Sequence, residues 1–324
     1  MLRLIARRAL FALLLVFFVS SGAALLTRVA PGSVVADLKA AGASRSEIER
    51  ERARYGLDRP ILEQYGSWLW HAARMDFGES QMFPGQRVSA LVRERAGNTA
   101  LLAVVALAFA TLVGIPLGVV SGSRRSGALA AVIRGASLLC LSLPPLLTSL
   151  VLVFVAARTG WFPIGGMTSL EAGDAGVLAW LRDVAWHLPL PAVALALPMA
   201  ALLERLQSQS MGETLREPYM LATLARGVGR GRLVWRDGFK ASLGPVASIY
   251  GLMIGSLLSG SFVVEIVTSW PGLGRLMFDA LRAHDLYLVA GCAALGSVFL
   301  AVGTLISDVA LAVADPRMRA EEAA

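Results

Sequence analysis

The chain has 324 residues, 56% of them hydrophobic and 16% charged, with a formal charge of +7. A soluble domain is about a quarter charged and less than half apolar, so a single water-soluble globule is excluded. Charge-free intervals recur at 9–27, 96–123, 135–157, 184–203, 241–264 and 286–307, each 19 to 28 residues long. About 20 apolar residues at 1.5 Å rise cross a hydrocarbon core of roughly 30 Å, so six helical spans are expected. A porin-like barrel is excluded, because its strands alternate over about 10 residues.

Arg3, Arg7 and Arg8 precede the first interval as in a signal peptide, but an apolar run of 19 residues is longer than the usual h-region, so a retained span is expected. Residues 31–95 then form an extracytoplasmic insertion. Ser44 and Glu47 stand at capping-box spacing and Gly56 suits a helix end, which predicts a short helix over 45–55. Asp58 and Pro60 start a second helix, with Ile61, Tyr65, Trp68, Leu69 and Ala72 on one stripe. Val88, Leu91 and Val92 belong to a third helix leading into span two.

Span two (98–120) carries Gly114, Pro116 and Gly118, and span three (134–157) carries Pro144 and Pro145. Prolines in membrane helices need partners for the backbone groups they free, or a cavity. Pro144 and Pro145 therefore mark either a translocation path or a packing kink. Trp161, Pro163, Gly165 and Gly166 punctuate an outer loop over 158–183, and span four opens with Pro189, Pro191 and Pro198. Gly251, Gly255 and Ser259 give span five a small-residue interface stripe.

The location of the charge matters more than its sum. The first eight residues, 121–134, 204–240 and the tail from Asp308 share one side, with 15 basic against 8 acidic residues; the other side is balanced at 15 each. Basic bias marks the cytoplasm, which places both termini there and explains the net charge without a nucleic-acid partner. Cys140 and Cys292 fall inside spans, and His71, His187 and His284 lie far apart, so neither a disulfide framework nor a metal site is expected.

The 36-residue segment 205–240 is the most informative. Glu217 and Pro218 can start a helix, Met220, Leu221, Leu224 and Ala225 give it an apolar face, and Gly227 stops it. A basic second helix follows, with Arg230, Arg232, Arg236 and Lys240 beside Leu233, Val234, Trp235 and Phe239. Two short helices around a glycine break form a rigid lever, or else an anchor lying on lipid.

The run Glu217-Pro218-Tyr219-Met220-Leu221-Ala222-Thr223-Leu224-Ala225-Arg226-Gly227, with Pro245 further on, resembles the "EAA" loop of ABC-importer permeases of the dipeptide, oligopeptide and nickel type. Val264-Glu265, Ser269-Trp270-Pro271-Gly272-Leu273-Gly274, Gly56-Leu57-Asp58-Arg59-Pro60, and Asp308 with Asp315-Pro316-Arg317-Met318-Arg319 are similar to the same family, in the same order. Thr223 and Leu224 depart from it, standing where alanine and arginine are usual.

The resemblance implies an all-α integral membrane protein of six transmembrane helices. It carries a helical extracytoplasmic insertion between spans one and two and a cytoplasmic coupling-helix loop between spans four and five. The division expected is 1–30, 31–95, a permease core 96–313 containing 205–240, and a tail 314–324. It implies that Glu217, Pro218, Tyr219, Ala222, Ala225, Arg226, Gly227 and Arg230 form the loop that couples to an ATPase. Trp270, Pro271, Gly272 and Gly274 would form an outer gate or a contact for a binding protein.

The implied partners are a second homologous permease subunit, two cytoplasmic ABC ATPase subunits, an extracytoplasmic solute-binding protein and membrane lipid, in a bacterial inner membrane. No G-x-x-x-x-G-K-[ST] phosphate cradle occurs in the chain, so no cofactor is expected here and ATP would be bound by the partners.

The alternatives are an ion-gradient-driven secondary transporter and a membrane enzyme. The first usually carries ionisable residues mid-membrane; here Glu204, Arg205, Asp308 and His187 are expected near span ends. For the second, Glu265, Asp279, His284 and Asp285 cluster without a nucleophile or metal pattern and are expected in a solvated loop.

Overall fold

The computed structural model describes residues 10, 13–15, 17–19, 21, 22, 42–54, 60–72, 74, 76–124, 127–169 and 176–314. The first apolar interval, the 55–59 turn and the 315–319 motif fall largely or wholly outside them. Eleven helices of eight residues or more are named here: α1 (Arg45–Arg54), α2 (Ile61–Ala72), α3 (Val88–Ser123), α4 (Ala128–Ser142), α5 (Pro145–Thr159), α6 (Val177–His187), α7 (Pro189–Thr214), α8 (Pro218–Ala225), α9 (Phe239–Val267), α10 (Leu273–Arg282) and α11 (Leu286–Ala314). Among the described residues no strand occurs, only an isolated antiparallel bridge between Glu79 and Arg87.

Among the described residues three helices are long and apolar enough to cross a bilayer uninterrupted: Val88–Ser123, Pro189–Thr214 and, within α11, Leu286–Leu305. Two bent pairs raise the number to five. Span three is not the single helix expected over 134–157. Its two prolines end α4 and start α5, and the two helices meet at 106°. Pro144 takes an extended ψ of 151° and Pro145 is the first residue of α5. A residue before proline is pushed out of the helical region, so Pro144 must break the helix. A milder bend of 46° separates Arg230–Leu257 from Ser259–Val267, at a serine–glycine pair of the kind that allows kinks.

Two compact units divide the chain. The first takes in Met1–Thr99 and Pro271–Ala301, the second Ala100–Trp270 and Val302–Ala324. In the first, the capping box at α1 forms as expected: Ser44 N–H donates to Glu47 Oε2 at 2.8 Å and Glu47 N–H to Ser44 Oγ at 3.3 Å. These bonds to Ser44 hold the Glu47 carboxyl below its usual range. Val88, Leu91 and Val92 do not form a separate helix but the first turns of α3, packed with Phe77, Leu273 and Leu288.

Asp285 is fully buried rather than solvated. Its Oδ2 accepts from Ser80 Oγ at 2.6 Å, Gln81 N–H at 2.7 Å and Met82 N–H at 3.0 Å, and its Oδ1 from Leu288 N–H at 3.0 Å. Four donors on one carboxylate offset its desolvation, so it staples residues 80–82 to the start of α11. Glu265 is likewise buried.

The second unit is built around α7, whose buried residues run its whole length. Gly114, Gly118 and Gly122 of α3 stand four apart and press on it. A Cβ on Gly118 would lie 2.6 Å from both Glu204 O and Gln207 Cβ, and Cβ atoms at Gly114 and Gly122 would strike Ala200 O and Ser208 O. Small residues let helix backbones approach this closely. Leu102, Ala106, Leu195, Leu203, Met253 and Leu257 fill the core beside this seam.

Polar ties accompany the seam. Gln207 Nε2 donates to Ser242 Oγ at 2.7 Å, Ser210 Oγ to Ser242 O at 2.8 Å, and Thr111 pairs with Tyr250 at 2.8 Å. Glu204 lies well inside α7, 2% exposed, accepting from Ser121 Oγ. The helix itself does not stop there: α7 continues ten residues further, to Thr214.

A helix that the outer loop did not announce, α6, ends at His187, with Leu188 alone between it and Pro189. Asp183 on it accepts from the Ser169 backbone N–H, which keeps its carboxyl below the usual range, with help from the Ser169 hydroxyl and nearby His187. Replacing Gly118 by valine is expected to destabilise the second unit by about 3 kcal/mol, at the upper end for overpacking, read as a lower thermal unfolding midpoint in detergent. An unchanged midpoint would contradict the close approach.

Candidate functional site

The segment joining α7 to α9 is short of slack. Leu215 N–H donates to Met211 O at 3.0 Å, Arg216 N–H to Glu213 O at 3.0 Å and Glu217 N–H to Thr214 O at 3.1 Å, so the chain turns out of α7 without a free residue. Glu217 sits at the N-cap of α8 with an extended ψ of 139°, and its side chain makes no capping bond. Pro218 occupies the first helical position, where its missing N–H costs nothing.

The apolar face expected on α8 is split. Met220 alone is buried, 2% exposed, while Leu221 at 56%, Leu224 and Tyr219 are exposed. Met220 is thus the anchor, with Leu221 and Leu224 forming an exposed ridge on one side of α8 and Tyr219 exposed on another. Thr223 Oγ1 donates to Tyr219 O at 2.8 Å and accepts from Arg226 Nη2 at 3.0 Å. The residue that departs from the resembled pattern therefore fixes the neighbouring guanidinium. Ala222 and Ala225 keep the helix slim on either side of it.

Gly227 ends α8 with φ of 86° and its N–H on Leu224 O at 3.0 Å. In that left-handed region glycine is nearly free and a side chain is strained. Beyond it the second helix differs from the sequence expectation. Arg230–Arg232 runs through a π-helical turn, Leu233–Gly238, directly into α9, with no break before the span. Leu233 and Val234 are buried, and Val234 packs with Val119 and Met211, flanked by Leu215 and Phe239. A Cβ on Gly238 would come 3.1 Å from Leu233 O and 3.2 Å from Met211 Sδ; π turns of this kind take up one extra residue inside a continuous helix. Arg230 Nη2 donates to Ser123 O at 3.3 Å, tying the same stretch to the end of α3.

The other sequence candidates lie apart from this loop. Trp270 is fully buried in the core of the second unit, so its indole is a packing element and not an exposed contact. Pro271 O accepts from Asn98 Nδ2 at 2.8 Å, and Gly272 precedes α10, whose Leu273 N–H donates to Thr99 Oγ1 at 2.8 Å. Gly274 follows on α10. Pro144 and Pro145 occupy the right-angle junction described above. Cys140 and Cys292 are free thiols, and no cluster of metal-ligating side chains occurs among the described residues.

Sequence reasoning missed Met220 as the sole buried residue of α8 and the Glu204–Ser121 pair. The first could be read from its place between two exposed positions; the second joins residues 83 apart and leaves no local signal.

The short helix α8, anchored at Met220, thus joins the two long apolar helices α7 and α9. Residues 114–320 match the family described as the binding-protein-dependent transport system inner membrane component. The chain belongs to that family. It is 32% identical over 315 residues to the oligopeptide transport system permease protein AppB of Bacillus subtilis, covering 97% of this chain and 98% of that one. It is also 32% identical over 278 residues to the oligopeptide transport system permease protein OppB of Mycobacterium bovis, covering 84% and 85%.

The protein is therefore a multi-pass permease component and not an enzyme. Replacing Gly227 by valine is expected to strain the loop by about 1–3 kcal/mol, seen as faster limited proteolysis within 215–230 at an unchanged global melting temperature. Digestion at the wild-type rate would contradict the strained turn.

Proposed function

We propose that this chain is the peptide-permease subunit of an ATP-driven importer, moving a peptide or similar small solute across the bacterial inner membrane by alternating access. The names of its relatives, oligopeptide transport permeases, support the solute class. Family membership separates this reading from an ion-gradient-driven carrier. Six spans with both termini in the cytoplasm accord with the basic excess on one side and with the apolar interval 9–27.

The observation that carries the mechanism is the elbow itself. Leu221, Leu224 and Tyr219 are exposed, while hydrogen-bonded turns join α8 to α7 at 215–217 and close its far end at Arg226 and Gly227. A partner ATPase that grips this ridge and shifts it moves α7 with it through the hydrogen-bonded turns at 215–217, and reaches α9 across only Val228 and Gly229 and the helical stretch 230–238. Arg226, held by Thr223, and Glu217 supply flanking charges for pairing. Binding energy from ATP closure of two such subunits would then be delivered to a second, homologous permease half as well. The solute would arrive from an extracytoplasmic binding protein at the outer mouth, where Trp270 and Pro271 stiffen the corner that the gate works against. Pro144 and Pro145, at a broken helix, are the candidate lining of the path. ATP itself is bound by the partners.

Glu217→Arg and Gly227→Asp are expected to abolish uptake while membrane insertion is retained, and the purified chain alone should hydrolyse no ATP. Normal uptake in both variants, or turnover by the isolated chain, would overturn the reading.

A further inference from the structure

A cleft of about 1200 Å³ opens within the second unit, between α4, the C-terminal half of α7 and the α8 elbow. Its volume exceeds the roughly 300–1,000 Å³ of small-molecule sites. Four arginines line it from separate elements: Arg134 on α4, Arg205 on α7, Arg216 in the turn before α8 and Arg230 after it. Two are held in place by the carbonyl end of α3 and the residue after it. Arg134 Nη2 donates to Ser121 O at 2.8 Å and to Arg124 O at 3.2 Å, and Arg230 Nη2 to Ser123 O at 3.3 Å. The side chains of Arg205 and Arg216 make no hydrogen bond or ion pair among the described residues.

The two lining carboxylates are already engaged, Glu204 with the Ser121 hydroxyl and Glu213 with Gln209 Nε2 at 3.1 Å. The site is thus an arginine cage with spare donors, suited to the several oxygens of a phosphate group. The apolar rim names the commoner carrier of that group. Leu138 lines the cleft, and Leu138, Leu139 and Val132 of α4 are all exposed, which gives acyl chains an apolar wall beside the cage.

We infer that this cleft binds a phosphate-bearing anion, an anionic phospholipid headgroup in the first instance, and that its occupancy clamps the elbow. The inference rests on the proposed cytoplasmic position of the elbow, since basic pockets at cytoplasmic span ends are where anionic headgroups collect. A headgroup bridging Arg134, Arg205, Arg216 and Arg230 links α4 and α7 to both sides of α8, the parts that must shift together when the elbow is driven.

The test uses the full chain in mild detergent after reconstitution into vesicles of phosphatidylcholine with phosphatidylglycerol, and native mass spectrometry to count retained phosphatidylglycerol. Arg205→Gln with Arg216→Gln is compared with Arg182→Gln on α6, and equal melting temperatures establish that all are folded. In parallel, pyrophosphate is added to protein reconstituted in phosphatidylcholine alone, and its effect on the melting temperature is read. Retention that falls roughly tenfold to thirtyfold in the double variant only is the expected result. Stabilisation by pyrophosphate in wild type but not in the double variant, without lipid retention, assigns the cage to a free phosphate.

Retention untouched by the double variant, equal loss in Arg182→Gln, or no response to either ligand would overturn the site. Uptake by vesicles carrying the complete transporter separates the two readings: uptake lost through Glu217→Arg with retention intact leaves both standing, whereas wild-type retention with Glu217→Arg uptake also intact removes the lever and leaves the cage.

Discussion

The structure of the second unit depends on the near-contact of two helix backbones. At Gly114, Gly118 and Gly122 there is no room for a Cβ against α7. In a bilayer the lipid tails are as apolar as any leucine, so helices associate through packing and hydrogen bonds rather than through expulsion of water. A seam of bare backbone maximises the first, and the Glu204–Ser121 and Gln207–Ser242 pairs supply the second. Because α7 carries that seam on one face and turns straight into the elbow at its end, the precision of the seam is passed to α8.

The stiffness of the turn out of α7 follows from how little the elbow has to spare. Consecutive turns at 215–217 each close a hydrogen bond, Met220 pins the short helix, and Gly227 reverses the chain in the space of one residue. The π turn at Leu233–Gly238 then lets the returning segment merge with α9 instead of hinging on it. Such an arrangement transmits a displacement rather than absorbing it.

Much of this was readable from the chain because the bilayer imposes strong rules on local composition. Charge-free intervals located α3, α7, α9 and α11, and the Ser44–Glu47 spacing and the Gly227 stop were local signals that the structure bears out. What escaped was set by distant partners or by competition between elements. Asp285 read as a solvated loop residue because its donors at 80–82 lie about 200 residues away. Trp270 read as part of an outer gate or a binding-protein contact, and only the packed core shows that its whole indole is covered. Pro144 and Pro145 were legible as a kink or a path lining, but not that they divide the span into two helices at 106°, because the residue before a proline is pushed out of the helical region. Helix α6, with Leu178 83% exposed and beside polar turn residues, left no continuous apolar interval to find.

The central claim is that the outward ridge of α8 is gripped by a separate motor. The most direct measurement is site-specific cross-linking in inner-membrane vesicles, with cysteine placed at Leu221 in a background freed of Cys140 and Cys292 and a matching set of cysteines on the ATPase subunit. The account predicts an adduct between permease and ATPase whose yield changes when a nucleotide is added. A residue 221 that labels only from the extracytoplasmic side, or that reacts with a lipid-borne probe and never with the ATPase, would contradict it.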